Sequence, residues 1–132
     1  MREIVFKRSF GICEYCHLPE LGQYDRFQVD HVIAKQHKGR DTLGNLAFDC
    51  PECNRKKGPN ISGIYRAGQQ RMKTPLFNPI RNLWGKHFAW SGPFLNGRTH
   101  IGIVTIQVLD MNSFAQILAR GTLILNGHHF AS

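Results

Sequence analysis

Acidic side chains are scarce in this chain and, over one long stretch, missing altogether: from Asn54 to Leu109 there is no Asp or Glu. Nine acids stand against 17 Lys and Arg in 132 residues, so the formal net charge is +8. The imbalance is local. Residues 1–53 carry seven basic and eight acidic side chains, a net −1, whereas residues 54–132 carry ten basic side chains and the single acid Asp110, a net +9. Cations spread through such a stretch, from Arg55 to Arg98, read as a face for a polyanion; the plainer reading is a solubilising face with no partner.

Other absences narrow the class. No apolar run approaches the ~20 residues of a membrane-spanning helix, so no membrane role is expected. The opening "MREIVFKRSF" lacks the apolar stretch and small-residue cleavage site of a signal peptide, which leads to the expectation of a cytoplasmic, intracellular chain. There is no internal repeat and no low-complexity tract. At this length one domain is expected over 1–132, with a core modest enough that a metal would help to hold it.

What the chain does have is four cysteines in two pairs, Cys13-Glu14-Tyr15-Cys16 and Cys50-Pro51-Glu52-Cys53. "CEYCH", with His17 after the first pair, fits a c-type haem attachment site as well as half of a zinc site. Haem would leave Cys50 and Cys53 unexplained and needs attachment outside the cytoplasm, whereas two CxxC knuckles supply four thiolates for a closed tetrahedral Zn²⁺. The expected structural zinc ligands are therefore Cys13, Cys16, Cys50 and Cys53. His17 is read as a neighbour of the knuckle.

The gap between the pairs holds "FQVDHVI", which alternates like a half-buried strand, then the loop "QHKGRDTLGN", then a second strand in "LAFDC". "PECNRKKG" reads as a short helix, with Asp49 or Cys50 near its N-cap, Pro51 in its first turn and Gly58 at its end. Residues 2–9 suit a short helix with Ile4, Val5 and Phe6 inward, or a strand. Residues 58–83 read as ordered loop. "HFAWSGPFLNGRTH" suggests short extended pieces around Gly92-Pro93 and a turn at Asn96-Gly97, with Trp84, Phe88 and Trp90 assigned to the core. A helix capped by Thr99 is favoured over a strand for "IGIVTIQVLD". Another follows Asn112-Ser113, with Phe114, Ile117, Leu118 and Leu123 as a core-facing stripe. His128-His129 is read as a solvated pair in a loose tail.

Asp30-His31 at the end of the first strand, Asn45 before the second, and Asn54 in "CNRKKG" directly after the last cysteine together resemble the HNH nuclease family. The flanking CxxC pairs fit its zinc-containing branch, and "KGPNISGI", "LFNP" and "HFAW" are similar to bacterial HNH proteins with a C-terminal extension. The resemblance implies an α+β fold: a small ββα-metal motif braced by the four-cysteine zinc site over about 10–60, with a mixed loop and helical, basic extension over about 61–132. It also implies a divalent-metal-dependent DNA endonuclease, with His31 as general base, Asp30 and Asn54 as ligands of Mg²⁺ or Mn²⁺, and Asn45 orienting the His31 ring. These types suit that chemistry independently: a neutral imidazole takes a proton near pH 7, and carboxylate and amide oxygens are hard donors. His37 and Arg40 in the loop, and Arg55, Lys56 and Lys57 on the helix, are the expected nucleic-acid contacts. RNA stays open as a substrate. A homodimer or a protein partner for targeting is a further expectation, since so short a chain leaves little room for a separate recognition module. The competing reading is a non-catalytic zinc-ribbon module that binds nucleic acid, which explains the cysteines and the charge but not the ordered Asp30, His31, Asn45 and Asn54.

Overall fold

A computed structural model describing residues 1–131 contains three two-stranded antiparallel sheets and five α-helices. The chain opens with α1 (Arg2–Ser9), a true helix in which Val5 is fully buried and Ile4 faces solvent. Three successive helical residues cannot share one face, so the expected inward set reduces to Val5, with Phe6 lying edge-on to Phe48 at 5.4 Å.

The inserted element folds as read. β1 (Gln28–His31) pairs with β2 (Leu46–Asp49) in the register Gln28 to Asp49 and His31 to Leu46. Phe27 and Phe48 are buried between this sheet and α1. Helix α2 (Pro51–Lys57) starts on Cys50, whose sulfur accepts the Cys53 N–H, has Pro51 at its first position and ends at Gly58.

Past Gly58 the expectation of loop is corrected. β3 (Ser62–Ala67) and β4 (Gln70–Pro75) form a regular hairpin, with Gly68 supplying the left-handed turn (φ +59°). Its packing requires Gly63: a Cβ there would stand 2.6 Å from Val104 Cγ1. After the single turn α3 (Trp84–His87), β5 (Phe88–Ser91) and β6 (Phe94–Gly97) pair around Gly92. Asn96-Gly97 is thus strand, not turn. Gly97 is needed because Ile103 backbone crowds the space a side chain would fill.

Helix α4 (His100–Leu109) begins on Thr99, whose hydroxyl accepts the Gly102 N–H, and it packs against β3, β6 and α2. Helix α5 (Phe114–Leu125) begins on Ser113. Its buried face departs in part from the expected stripe, of which Leu123 packs against the core and Ile117 is half-buried. Gln116 and Arg120 are buried, while Phe114 and Leu118 are 83% and 57% exposed. Among the described residues no single helix is long and apolar enough to cross a membrane; α4 and α5 qualify only as a pair bent by 104°.

Candidate metal centre and acid–base site

The four cysteine sulfurs lie within 4.8 Å of one another, all buried. Each knuckle turns a backbone N–H onto its own first sulfur, Cys16 N to Cys13 Sγ at 3.5 Å and Cys53 N to Cys50 Sγ at 3.4 Å. Burial first of all pushes the Cys13 thiol up, so thiolates need a cation among them. From α5, Gln116 Nε2 donates to Cys50 Sγ at 3.5 Å, and the fully buried Arg120 guanidinium has its pKa lowered by burial, an effect that the four cysteines oppose. Arg120 donates to the carbonyls of Pro93 and Met111 at 2.8 and 2.7 Å and to Asn112 Oδ1 at 3.2 Å, leaving Nη1 without a partner. No carboxylate among the described residues pairs with it. A buried cation without an acid is costly unless other negative charge stands nearby. Four thiolates around Zn²⁺ carry a net −2, so the donor set and its surroundings both fit zinc.

His17 is beside the cluster rather than in it. Its ring stacks on Trp84 at 3.9 Å, and burial lowers its pKa to about 4, which keeps it neutral. Trp84 Nε1 donates to Tyr15 O at 2.8 Å, and Phe88 is fully buried against Trp84, so these aromatics belong to the core as read. His128 meets Phe130 edge-on at 4.4 Å, which ties the tail to Trp90 through Phe130.

Asp30 and His31 occupy the end of β1. Asp30 Oδ1 accepts the His31 N–H at 2.9 Å and lies 4.0 Å from His31 Nδ1. The other ring nitrogen, Nε2, is hydrogen-bonded to Asp41 Oδ1. Hydrogen bonds from His31 and Lys35 hold the Asp41 carboxyl below the usual range, so it is ionised and can only accept. Where Nε2 donates to that carboxylate, Nδ1 is the ring nitrogen left on the Asp30 side.

Asn45 does not hold that ring. Its side chain accepts from Ile33 N and donates to the carbonyls of Ile33 and Arg40, each at 2.9 Å, so it fixes the loop after His31. Asp41 was missed in the sequence, where it is the lone acid of a loop with Lys35, Lys38 and Arg40. Asn54 is half-buried on α2, which packs on β1. Neither its amide nor Asp30 Oδ2 has a protein partner among the described residues, so two hard oxygen donors remain available. Behind them Asp49 is buried on the face of the sheet that also carries Asp30; burial, then the Asp30 charge, raises it to about 9.

The expected nucleic-acid contacts divide. His37 and Arg40 are exposed on the loop. Arg55 pairs with Glu52 at 2.8 Å and Lys56 with Asp110 at 3.6 Å. Lys57 is corrected: it is 3% exposed and donates to Val32 O at 2.8 Å, so its ammonium cannot reach a phosphate.

Comparison with known proteins agrees with this geometry. Over 129 aligned positions the chain is 27% identical to Septu protein PtuB of Bacillus thuringiensis, covering 91% of this chain and 44% of that relative, so it spans less than half of the relative's length. No solved structure matches. The family model described as HNH endonuclease matches residues 13–60, from the first cysteine to just past α2. HNH domains are generally nucleases, and residues 13–60 of this chain match the model of that domain.

Proposed function

We propose that the chain is a divalent-metal-dependent endonuclease that hydrolyses phosphodiester bonds of DNA, with His31 as general base. The observation that carries this reading is the hydrogen bond between His31 Nε2 and Asp41 Oδ1, which leaves Nδ1 facing Asp30. With Asp41 on Nε2, Nδ1 is free to take a proton from water, and Asp30 stands beside it. Asp30 and Asn54 are the proposed holders of Mg²⁺ or Mn²⁺. When bound, that cation supplies Lewis-acid stabilisation of charge developing on the phosphate and leaving oxygen. Asn45 acts through the loop: its three bonds keep Ile33 and Arg40 in place, and with them the segment that carries Asp41. The cysteines hold a structural zinc, which has no open position for substrate. Free thiols suit a reducing compartment, so intracellular action is part of the proposal.

The same reading makes residues 1–132 one functional unit, supported by the bond from Gln116 of α5 to Cys50 Sγ. Plasmid relaxation, wild type beside His31→Ala in Mg²⁺, in Mn²⁺ and without added metal, tests it. Cleavage is expected to need added metal and to fall by about 10²–10⁴ in the variant. Equal cleavage by His31→Ala would end the assignment. DNA binding without cleavage in any metal would favour the non-catalytic module.

A further inference from the structure

The register of the β3–β4 hairpin sorts its side chains into two sets. Gly63, Tyr65 and Thr74 belong to the inner face: Gly63 abuts Val104, Tyr65 stacks on His100 at 3.9 Å, and Thr74 is buried. On the outer face Arg66 stands directly opposite Arg71, and Ile64 opposite Lys73. All three cations are exposed, and none has a carboxylate or hydrogen-bond partner among the described residues. Like charges directly opposite on a ladder destabilise it, so this arrangement opposes the hairpin's own stability unless an anion comes between them. No acid lies near in sequence, since none occurs from Asn54 to Leu109.

We infer that the outer face of this ribbon is a phosphate-binding arm for duplex DNA, made by Arg66, Arg71 and Lys73. The choice of DNA, and of the ribbon's use beside His31, rests on the nuclease reading above; the cationic ladder does not. The root of the ribbon supports the placement. Leu76 N donates to Ile61 O at 3.0 Å, and Ile61, Pro75 and Leu76 line one cavity with Val32 and Ile33, the two residues after His31. From that root Lys73 is two residues out and Arg71 four, about 7 and 13 Å along a strand. The root of the ribbon thus adjoins the segment that follows His31. The contacts fall on phosphates, so they add affinity and orientation without reading sequence.

The test is fluorescence anisotropy on a 20-base-pair duplex with zinc-loaded protein and no added Mg²⁺ or Mn²⁺, over roughly 50 to 200 mM salt. Arg66→Gln, Arg71→Gln and Lys73→Gln together are expected to weaken binding more than tenfold and to flatten the slope of log K against log salt by about 2–3, near 0.9 per phosphate lost. A control triple, Lys7→Gln, Arg26→Gln and Lys86→Gln, removes the same charge from exposed sites elsewhere and is expected to move the slope by less than about 1. Zinc content and melting temperature establish that each protein is folded. Equal slopes for the two triples would overturn the arm and leave only bulk charge. Binding of anionic vesicles with no binding of DNA would overturn it as well. A wild type that cleaves nothing while the ribbon triple still flattens the slope would sink the nuclease reading and keep the arm; normal His31-dependent cleavage with an unchanged slope would do the reverse.

Discussion

Helix α2 and the β3–β4 ribbon each contribute three Lys or Arg side chains from the same acid-free stretch, yet the two sets have different surroundings. On α2 every cation is engaged: Arg55 by Glu52, Lys56 by Asp110, and Lys57 by the Val32 carbonyl in the interior. On the ribbon none is. A run of charge in a sequence therefore locates a basic region but does not say which members can meet a ligand. That depends on what the fold brings against each one, and Glu52 and Asp110 lie at or beyond the borders of the acid-free stretch. Arg120 takes the same logic furthest, as a cation fully inside the protein that is held by the Pro93 and Met111 carbonyls and Asn112 Oδ1.

Arg120 should give the largest effect of any engaged cation. Arg120→Met deletes three hydrogen bonds from a charged donor and the positive charge on which the cysteines act. A loss of about 3–5 kcal/mol is expected from urea melts. Zinc affinity should fall about 10- to 100-fold by chelator competition, the range for groups that support metal ligands. Arg120→Lys keeps the charge and loses the fork of donors, so it should retain more zinc than the Met variant. Equal zinc affinity for the two would mean that packing, and not charge, links α5 to the cluster.

Lys57 comes next. Lys57→Met leaves the Val32 carbonyl without its donor and removes an ammonium on which Asp30 and Asp49 act. Stability should drop by about 2 kcal/mol, the cost of a buried polar group left unpaired. The slope of DNA binding against salt should not move. A flattened slope with unchanged stability would return Lys57 to the set of phosphate contacts.

The same contrast explains what could be read from the residues alone. Both knuckles, Asp30-His31 on its strand and the α2 caps follow from spacing over a few positions, and there the fold agrees. The ribbon was missed because Gly, Pro and Asn around residues 58–83 suggest loop; the alternation Ile64, Arg66 and Arg71, Lys73 on either side of Gly68 was the available signal. The stripe on α5 was legible as a periodicity but not as a direction. The side of that helix turned inward carries Gln116, bonded to Cys50 Sγ, and Arg120, bonded to the Pro93 and Met111 carbonyls, and Phe114 and Leu118 are left outside. Asp41 could not be joined to His31 from sequence either. Ten residues separate them, and the loop conformation that closes the gap is fixed by Asn45.

The smallest effect belongs to Arg55, and it separates position from pairing most cleanly. Its bond to Glu52 is an exposed pair three residues apart on a helix, so Arg55→Gln should change stability by less than about 0.5 kcal/mol. The informative variant is Glu52→Gln, which leaves Arg55 in place and removes its partner. If α2 lies along the DNA and Arg55 is silenced only by pairing, the slope against salt should steepen by about 1 in Glu52→Gln, and Arg55→Gln in that background should reverse it. If neither substitution moves the slope, α2 faces away from the phosphates, and the difference between α2 and the ribbon is one of orientation rather than of neutralisation.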